Sequence, residues 1–261
     1  MPDTLTTAQV DQFVGQGFVK LDQVFSAELA EAAVELLWQD LPVNRTDPSS
    51  WTEPVIRLGM YRQPPFLASV AAPRLHAAFD QLVGAGNWMP PAQVGTFPVR
   101  FPSETRPPDD GRHVDASFPG KDPTDYLTWR VNVRSRGRAL LMLMLYSEVG
   151  ERDAPTVIYQ GSHQDVARLL YPHGDAGLSF LELAAELDHL PEREAVHATG
   201  AAGTVYLCHP FLVHAAQAHR GTTPKFMAQP ALLLREELCL SAKKIPYTPL
   251  EQAIRRGIDD Q

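Results

Sequence analysis

The sequence predicts a mainly β fold, a sandwich or barrel of antiparallel strands with helices packed at its N-terminal end. Short apolar or alternating runs follow one another from Gln93 onward, and glycine or proline turns separate them. Strands and helices do not alternate regularly there, which disfavours a parallel α/β sheet. With 261 residues, 44% of them apolar, we expect one domain spanning residues 1–261.

Capping residues and apolar spacing define the predicted elements. Thr6 or Thr7 can cap a first helix that ends near Gly17, and Ser26 can cap a second that ends before Pro42. Further helices are predicted for residues 68–83, 164–170, 178–187 and 250–258. The predicted strands cover residues 18–21, 94–99, 127–133, 139–146, 157–159, 203–208 and 226–234.

Composition and charge disfavour several classes of protein. No apolar run approaches the roughly 18 residues of a membrane span, and residues 1–12 lack a secretory pattern. Two cysteines, Cys208 and Cys239, cannot make a disulfide framework or a zinc site by themselves. The net charge of −8 argues against a nucleic-acid or acidic-membrane surface. We therefore expect a cytoplasmic protein, monomer or homo-oligomer, that acts on a small-molecule substrate and binds neither nucleic acid nor membrane.

The spacing His-x-Asp is the most suggestive chemical pattern. Residues two apart on a strand point to the same side, so such a pair can bind one metal ion. A second histidine from elsewhere completes the two-histidine, one-carboxylate face of non-haem Fe(II) oxygenases. With nine histidines and 31 acidic residues, chance alone produces such a spacing, so context must decide. The pattern occurs at residues 113–115, 163–165 and 173–175.

Context favours the first of these pairs. His163 and Asp165 fall in the first turn of a predicted helix, about 200° apart around its axis and on opposite sides. The pair at 173–175 follows a proline and precedes a glycine, which is typical of a turn between helices. His113 and Asp115 come after the first barrel strand and before most of the others, where the mouth of a barrel would place them.

The third metal ligand is expected from a late strand on the far side of the barrel. Residues 203–215 contain His209 and His214, which are five residues apart, so a regular strand would point them to opposite faces. His214 follows three apolar residues and is the better candidate. His209 precedes Pro210, and a hydrogen bond within the core is its simpler interpretation.

A keto-acid cosubstrate would add one requirement, a cation in the pocket for its distal carboxylate. Lys225 stands eleven residues after His214, beyond a turn, at the start of a predicted strand from which it can project inward. Arg220 is the alternative, but it lies in the turn, where exposure to solvent is the simpler interpretation.

Four segments together resemble the phytanoyl-CoA dioxygenase family of Fe(II)/2-oxoglutarate oxygenases. Residues 5–19 resemble the family's N-terminal helix and strand, and residues 113–115 its metal-binding His-x-Asp pair. Residues 161–163 resemble its Gly-Ser-His turn, and residues 203–214 its distal-histidine segment, followed at the family's interval by a cation. The resemblance covers residues 5–40 and 112–235.

The chain departs from the family's usual pattern at several positions. Lys225 stands where the family usually has arginine, which keeps the charge but loses the planar two-toothed grip on a carboxylate. Ala216 replaces a common hydroxyl residue, His219 a common asparagine, and residues 153–155 a common Asn-Gly. Asp115 occupies the position at which related halogenases have a small residue, so halogenation is not expected.

The resemblance implies a double-stranded β-helix, a cupin-like jelly-roll, with the N-terminal helices packed on one sheet. It implies that His113, Asp115 and His214 bind Fe(II) as the catalytic metal site, that Lys225 binds the cosubstrate 2-oxoglutarate, and that O2 takes the last metal position. The implied activity is a 2-oxoglutarate-dependent dioxygenase that oxidises, most simply hydroxylates, a small organic metabolite. Two alternatives stay open: a non-catalytic jelly-roll that binds a small molecule, and a cupin-like metal enzyme that does not use 2-oxoglutarate.

The sequence offers few clues to the substrate. Polar side chains alternate along one predicted strand: Arg130, Asn132 and Arg134, with Arg136 and Arg138 nearby. They can recognise an anionic group, but a solvated face paired with acidic residues is the simpler interpretation. The proline-containing loops 41–51 and 101–112 are candidate lids over the site.

Overall fold

The computed structural model describes residues 4–241 and 246–259. Its helices are α1 (Thr7–Gln16), α2 (Ala27–Asp40), α3 (Pro64–Val70), α4 (Pro73–Val83), α5 (Ser162–Leu170), α6 (Phe180–Glu186) and α7 (Pro249–Asp259). None of the helices in these ranges is long and apolar enough to cross a membrane. Its strands are β1 (Phe18–Leu21), β2 (Val55–Leu58), β3 (Trp88–Met89), β4 (Phe97–Arg100), β5 (Arg130–Val131), β6 (Leu140–Leu145), β7 (Val157–Tyr159), β8 (Leu178–Ser179), β9 (Ala195–His197), β10 (Val205–Cys208), β11 (His214–Ala215), β12 (Met227–Ala228) and β13 (Ala231–Leu234).

The main sheet is built around β6, whose residues are all buried. Its strands follow the order β1-β10-β6-β13-β3, and β12 also pairs with β6. A second sheet has the order β11-β7-β9, and the pairs in both sheets are antiparallel. Antiparallel pairing of strands distant in sequence is typical of a sandwich, not of an α/β protein.

Residues of β6 alternate between two apolar layers. Leu141, Leu143 and Leu145 pack with Ile158 of β7 and Met227 of β12, in the layer shared by the two sheets. The other residues of β6 belong to the larger core, which the N-terminal helices and α7 complete. A two-sheet sandwich with helices on the outer face of one sheet is the predicted jelly-roll arrangement, and this fold prediction is confirmed.

The N-terminal helices begin and end at the predicted residues. Thr6 caps α1 through a capping box with Gln9, and Gly17 ends α1 in the left-handed conformation, with φ 86°. Ser26 caps α2 by accepting the backbone N–H of Leu29. Because β1 follows Gly17 directly and pairs with β10, α1 is tied to the edge of the main sheet.

Several predicted elements are divided in the structure. The helix predicted for residues 68–83 is two helices, α3 and α4, because Pro73 cannot continue α3. The strand predicted for residues 226–234 is β12 and β13, which are separated at Pro230. The helix predicted for residues 178–187 begins as the short strand β8. Strands β2, β3, β9 and β11 have no predicted counterpart, because each is short and is defined by the strand with which it pairs.

Candidate metal centre

His113 and His214 form the pair on which the site is built. The backbone N–H of His113 donates to the carbonyl of His214 at 2.9 Å, and the N–H of His214 donates back to the carbonyl of His113 at 3.0 Å. Residues that face each other across such a bridge have their side chains on the same side. The two imidazole ring centroids are therefore only 4.4 Å apart.

Both histidines are anchored through the same ring nitrogen. Nδ1 of His113 lies 2.8 Å from the carbonyl oxygen of Gly111, and Nδ1 of His214 lies 3.0 Å from that of Leu212. A carbonyl oxygen only accepts hydrogen bonds, so in the neutral ring Nδ1 carries the proton and Nε2 keeps its lone pair. Nε2 of His214 is buried and has no hydrogen-bond partner among the described residues. Both rings thus present the nitrogen that a metal ion requires.

Asp115 completes the group. Its Oδ1 lies 3.9 Å from Nε2 of His113, and one donor atom from each of His113, Asp115 and His214 lies within 4.8 Å of the other two. His113 and Asp115 do not share a regular strand, because His113 forms an isolated bridge and Asp115 lies in irregular chain. Two nitrogen donors and one carboxylate oxygen suit Fe(II) or a similar divalent metal.

Burial and neighbouring charges set the protonation of this group. Burial, with a contribution from His113, lowers the pKa of His214 to about 4, so its ring is neutral near pH 7. Burial alone would raise the pKa of Asp115, but the Arg138 guanidinium and the two histidines outweigh it and lower this pKa to about 2. A neutral imidazole and an ionised carboxylate are the forms in which these side chains bind metal.

The Gly-Ser-His turn before α5 fixes the chain that leads to His214. Gly161 adopts the left-handed conformation, with φ 79°, at the start of α5. The hydroxyl oxygen of Ser162 accepts the backbone N–H of Val213 at 2.9 Å. His214 then pairs with Ile158 on β7. The position of His214 is therefore fixed from two sides, by α5 through Val213 and by β7 through Ile158.

The other histidines considered as ligands lie elsewhere. Nε2 of His163 is 3.2 Å from the carbonyl oxygen of Val14, and its ring lies 4.9 Å from that of His209. His209 is buried, and its Nδ1 accepts the backbone N–H of Phe211 at 3.1 Å. His173 is exposed. Among the described residues, the group of His113, Asp115 and His214 is the one set of side chains arranged to hold a metal ion.

Lys225 is buried, with 1% of the residue exposed. Its backbone exchanges hydrogen bonds with Arg100 of β4 in both directions, so the two side chains leave on the same side of the sheet. Nζ of Lys225 donates to the carbonyl oxygen of Ala154. Burial, reinforced by Arg100, holds the pKa of Lys225 well below its ordinary value. The alternative cation, Arg220, is exposed and donates to the carbonyl of Ser103 at 3.1 Å.

A cavity of about 780 Å³ has all three candidate ligands in its wall. Four residues of loop 101–112 line it, as a lid would, whereas loop 41–51 contributes none of its described residues. The wall of the cavity also contains Arg57, Arg100, Arg112 and Arg138, the acidic Asp109, and the apolar Met60, Leu127, Phe180 and Met227. The cavity therefore combines the candidate metal ligands with both arginine-rich and apolar walls.

Most of the arginine-rich segment that leads into β6 is structural. Its ion pairs and hydrogen bonds join Arg130 to the carbonyls of Ala176 and Gly177, Arg134 to Asp175, and Arg136 to Glu237. Of these arginines, Arg138 alone lines the cavity. Sequence reasoning gave Arg138 no special weight and did not select Arg100, because the direction of each side chain depends on pairing and turns that have no local signature.

The sandwich fold and the cavity with two imidazoles and one carboxylate define a class of protein, the jelly-roll oxygenases that use non-haem iron. Residues 103–227 match the model of the family described as phytanoyl-CoA dioxygenase, a span that contains His113, Asp115, His214 and Lys225. The predicted family resemblance is thereby confirmed. The protein is a 2-oxoglutarate-dependent dioxygenase, whose cofactors are Fe(II), 2-oxoglutarate and O2.

Solved structures share the fold at low sequence identity. The non-haem α-ketoglutarate-dependent carbocyclase SnoK from nogalamycin biosynthesis is 16% identical, with a TM-score of 0.55 over 91% of this chain and 88% of that one. EctD from S. alaskensis, with 2-oxoglutarate and 5-hydroxyectoine, is 24% identical, with a TM-score of 0.55 over 90% of this chain and 77% of that one. HygX from Streptomyces hygroscopicus with iron bound is 16% identical, with a TM-score of 0.55 over 94% of this chain and 96% of that one. A comparison with curated protein sequences found no match.

Proposed function

We propose that residues 1–261 form one domain that couples decarboxylation of 2-oxoglutarate to the oxidation, most simply the hydroxylation, of a small organic molecule. The observation that supports this best is the convergence of His113, Asp115 and His214 in the wall of one large cavity. Three protein donors on one face of a metal ion leave its other positions open to cosubstrate and O2.

The residues of the chain would do the positioning. Fe(II), when bound with the keto acid, supplies the O2 chemistry. The carbonyls of Gly111 and Leu212 orient the two imidazole rings through Nδ1, which would leave each Nε2 to bind the metal. Asp115 contributes a negative charge that offsets part of the charge of the metal.

Lys225 is the proposed anchor for the distal carboxylate of 2-oxoglutarate. Met227 lines the cavity and lies two residues after Lys225 along the chain, so both side chains leave the backbone on the same side. Lys225 donates a hydrogen bond to a carbonyl oxygen and to no carboxylate within the described chain. An incoming carboxylate would supply the counter-charge, and Arg100 beside it would add a second cation.

The proposed substrate has an apolar body and an anionic group. The cavity of about 780 Å³ is larger than a five-carbon keto acid needs, so a second molecule fits in front of the metal. Met60, Leu127 and Phe180 give it apolar contact area, and Arg57 and Arg112 lie in the same wall. Four arginines and two acidic residues, Asp109 and Asp115, line the cavity, so its wall carries an excess of positive charge. Asp109 accepts hydrogen bonds from both Arg57 and Arg100, and Arg112 donates to Asp188 at the rim.

The test is a spectrum of the metal-free protein after anaerobic addition of Fe(II) and then 2-oxoglutarate. We expect the weak visible charge-transfer band of an iron-chelated keto acid. Admission of O2 with ascorbate should then release some succinate even without substrate. His214→Ala and chelation of the metal should abolish both signals, and His173→Ala, outside the cavity, should retain them.

Two results would contradict this function. Stoichiometric Fe(II) binding with neither band nor succinate would favour a non-catalytic jelly-roll binder, or a metal enzyme with a different cosubstrate. Halogenated product in the presence of chloride would show that Asp115 does not occupy a metal position, because a halide would then need that place.

A further inference from the structure

We propose that Arg138 is a positioning residue that clamps Asp115, so that a single carboxylate oxygen faces the metal. Nη1 of Arg138 donates to Oδ2 of Asp115 at 2.8 Å, and Nη2 donates to the carbonyl oxygen of Ala116 at 3.0 Å. The planar guanidinium thus holds the carboxylate and the main chain of the next residue together. This inference rests on the metal site proposed above.

Asp115 needs such support because of where it lies. The chain around it is irregular and is fixed by two isolated bridges, His113 with His214 and Phe118 with Arg130. Between them, the N–H of Ala116 donates to the hydroxyl oxygen of Tyr126 at 3.0 Å. A regular strand would fix the direction of Asp115 through its ladder of hydrogen bonds. Here side-chain contacts do so instead: Arg138 donates to the carboxylate, and the Tyr126 hydroxyl lies beside it.

Arg138 itself is held by a tight turn. Ser135 adopts the left-handed conformation, with φ 48°, and its hydroxyl donates to the carbonyl of Arg138 at 2.7 Å. Gly137, with φ 85°, packs so closely that a Cβ there would lie 3.0 Å from the carbonyl oxygen of Ser117. The strand β6, the centre of the main sheet, begins at Leu140. The guanidinium is therefore carried by the best-buried part of the fold.

The two oxygens of Asp115 have different neighbours. Oδ2 accepts from Arg138, whereas Oδ1 lies 3.9 Å from Nε2 of His113, on the side of the metal-binding group. A carboxylate with one oxygen held in a charge-assisted hydrogen bond binds metal through the other. One more metal position then stays open for the keto acid. The Arg138 side chain is 13% exposed, so water competes little for this bond.

The experiment uses Co(II) as the probe, because its visible absorption responds to coordination number and geometry. Metal-free native protein, Arg138→Met and Arg134→Met are titrated with Co(II) and then with 2-oxoglutarate, and their melting temperatures are compared. We expect Arg138→Met to bind Co(II) with altered visible bands and to bind 2-oxoglutarate about tenfold more weakly or worse. Arg134→Met, an exposed arginine of the same segment paired with Asp175, should match native protein in both titrations.

Arg138→Lys is the second variant. A lysine ammonium lacks the fork that reaches both Asp115 and Ala116, so its Co(II) bands should also differ from native ones, and its affinity for 2-oxoglutarate should be intermediate. This variant decides the question if Arg138→Met does not fold.

Each contrary result has a distinct meaning. Co(II) bands identical to the native ones in the Arg138 variants would overturn the proposal that Arg138 clamps Asp115. If these variants nevertheless bind 2-oxoglutarate more weakly, Arg138 binds the cosubstrate and does not position Asp115. Failure of the native protein itself to bind Co(II) would overturn the metal site and the clamp together. If native protein binds Co(II) and the Arg138 variants show the same Co(II) bands and the same 2-oxoglutarate affinity, the metal site stands and only the clamp is overturned.

Discussion

His113 and His214 are joined by two backbone hydrogen bonds, of 2.9 and 3.0 Å, in which each residue donates to the other. The residues are distant in sequence, and this bridge is the point at which the loop after β4 meets the strand β11. The backbone pairing of these two residues therefore also brings their imidazole rings side by side. A side-chain substitution at either position leaves the backbone bonds in place.

The first prediction concerns metal binding. His113→Ala, Asp115→Ala and His214→Ala should each lose stoichiometric Fe(II) binding, because two remaining donors do not make a closed face for the metal. Circular dichroism should be native, since the bridge between residues 113 and 214 uses main-chain atoms. Anaerobic titration calorimetry with Fe(II) measures the effect.

His173→Ala is the control for this prediction, because His173 is exposed and lies outside the cavity. His163→Ala should also bind Fe(II) normally, although loss of its buried ring will lower stability. Normal binding by His113→Ala together with loss in His163→Ala would show that the wrong His-x-Asp pair was chosen.

The second prediction concerns the cosubstrate anchor. Lys225→Met keeps the apolar stem and removes the ammonium, so 2-oxoglutarate should bind more weakly while Fe(II) affinity hardly changes. Loss of one charged hydrogen-bond partner costs on the order of 1.5–3 kcal/mol, roughly a 10- to 150-fold loss of affinity. The charge-transfer band of the anaerobic complex, titrated with 2-oxoglutarate, measures this affinity.

Arg220→Met provides the contrast, because Arg220 is exposed and contacts Ser103 and Glu104 outside the cavity. Lys225→Arg should retain most binding if the space around Ala154 admits the larger head group. A severe loss in Arg220→Met with native affinity in Lys225→Met would reverse the assignment of the cation.

Those parts of the fold that depend on local chemistry could be predicted from the sequence. Thr6, Ser26 and Gly17 define helix ends through their own side chains or conformations, and the apolar run at residues 139–146 is the buried β6. Strands such as β9 and β11 could not be predicted from the sequence, because a segment of two or three residues becomes a strand only through the strand that pairs with it. The division of α3 from α4 has a local signal, Pro73, which the apolar spacing on both sides of it obscured.

Part of the candidate site could likewise be predicted from the sequence, and part could not. The His-x-Asp spacing of residues 113–115, and the order of motifs shared with the family, pointed to side chains that the structure brings together. Arg138 has a sequence context much like that of Arg134 and Arg136, and the left-handed Ser135 and Gly137 before it aim it at Asp115. A turn of this kind becomes visible through the contacts of its backbone, and the sequence alone does not show them.

The third prediction concerns pH. Burial lowers the pKa of His163 to about 4, against about 6.5 in an unfolded chain. Between these values the unfolded state binds a proton that the folded state does not, so stability must fall as the pH falls through this window. From pH 7.5 to pH 5, His163 should account for about 2 kcal/mol of lost unfolding free energy. His209, which is also buried with a lowered pKa, should add to the loss in the same direction.

Urea unfolding of metal-free protein at the two pH values measures this effect. His163→Gln can keep a hydrogen bond to the carbonyl of Val14 but cannot titrate, so it should lose less stability between the two pH values than native protein does. His173→Gln should behave as native protein. An unchanged pH dependence in His163→Gln would show that the ring is not held neutral by burial.

The last prediction concerns the ion pair that secures the start of α5. Asp165 is buried, and Arg193 donates to both of its oxygens at 2.7 Å, while Arg168 reaches one of them at 3.3 Å. Removal of one partner leaves a buried carboxylate undercompensated, which costs about 3–5 kcal/mol in a fully buried pair.

Arg193→Met should therefore lower the free energy of unfolding by about 2 kcal/mol, a reduced figure because the Arg193 side chain is 36% exposed and Arg168 remains. Arg168→Met, the matched control, should cost less than about 1 kcal/mol.

In an Asp165→Asn background the effect of Arg193→Met should shrink, because no charge is left to compensate. An undiminished effect would mean that Arg193 acts through packing. Since Ser162 of the same helix turn holds Val213 beside His214, Arg193→Met should also weaken Fe(II) binding under mildly destabilising urea, where Arg168→Met does not.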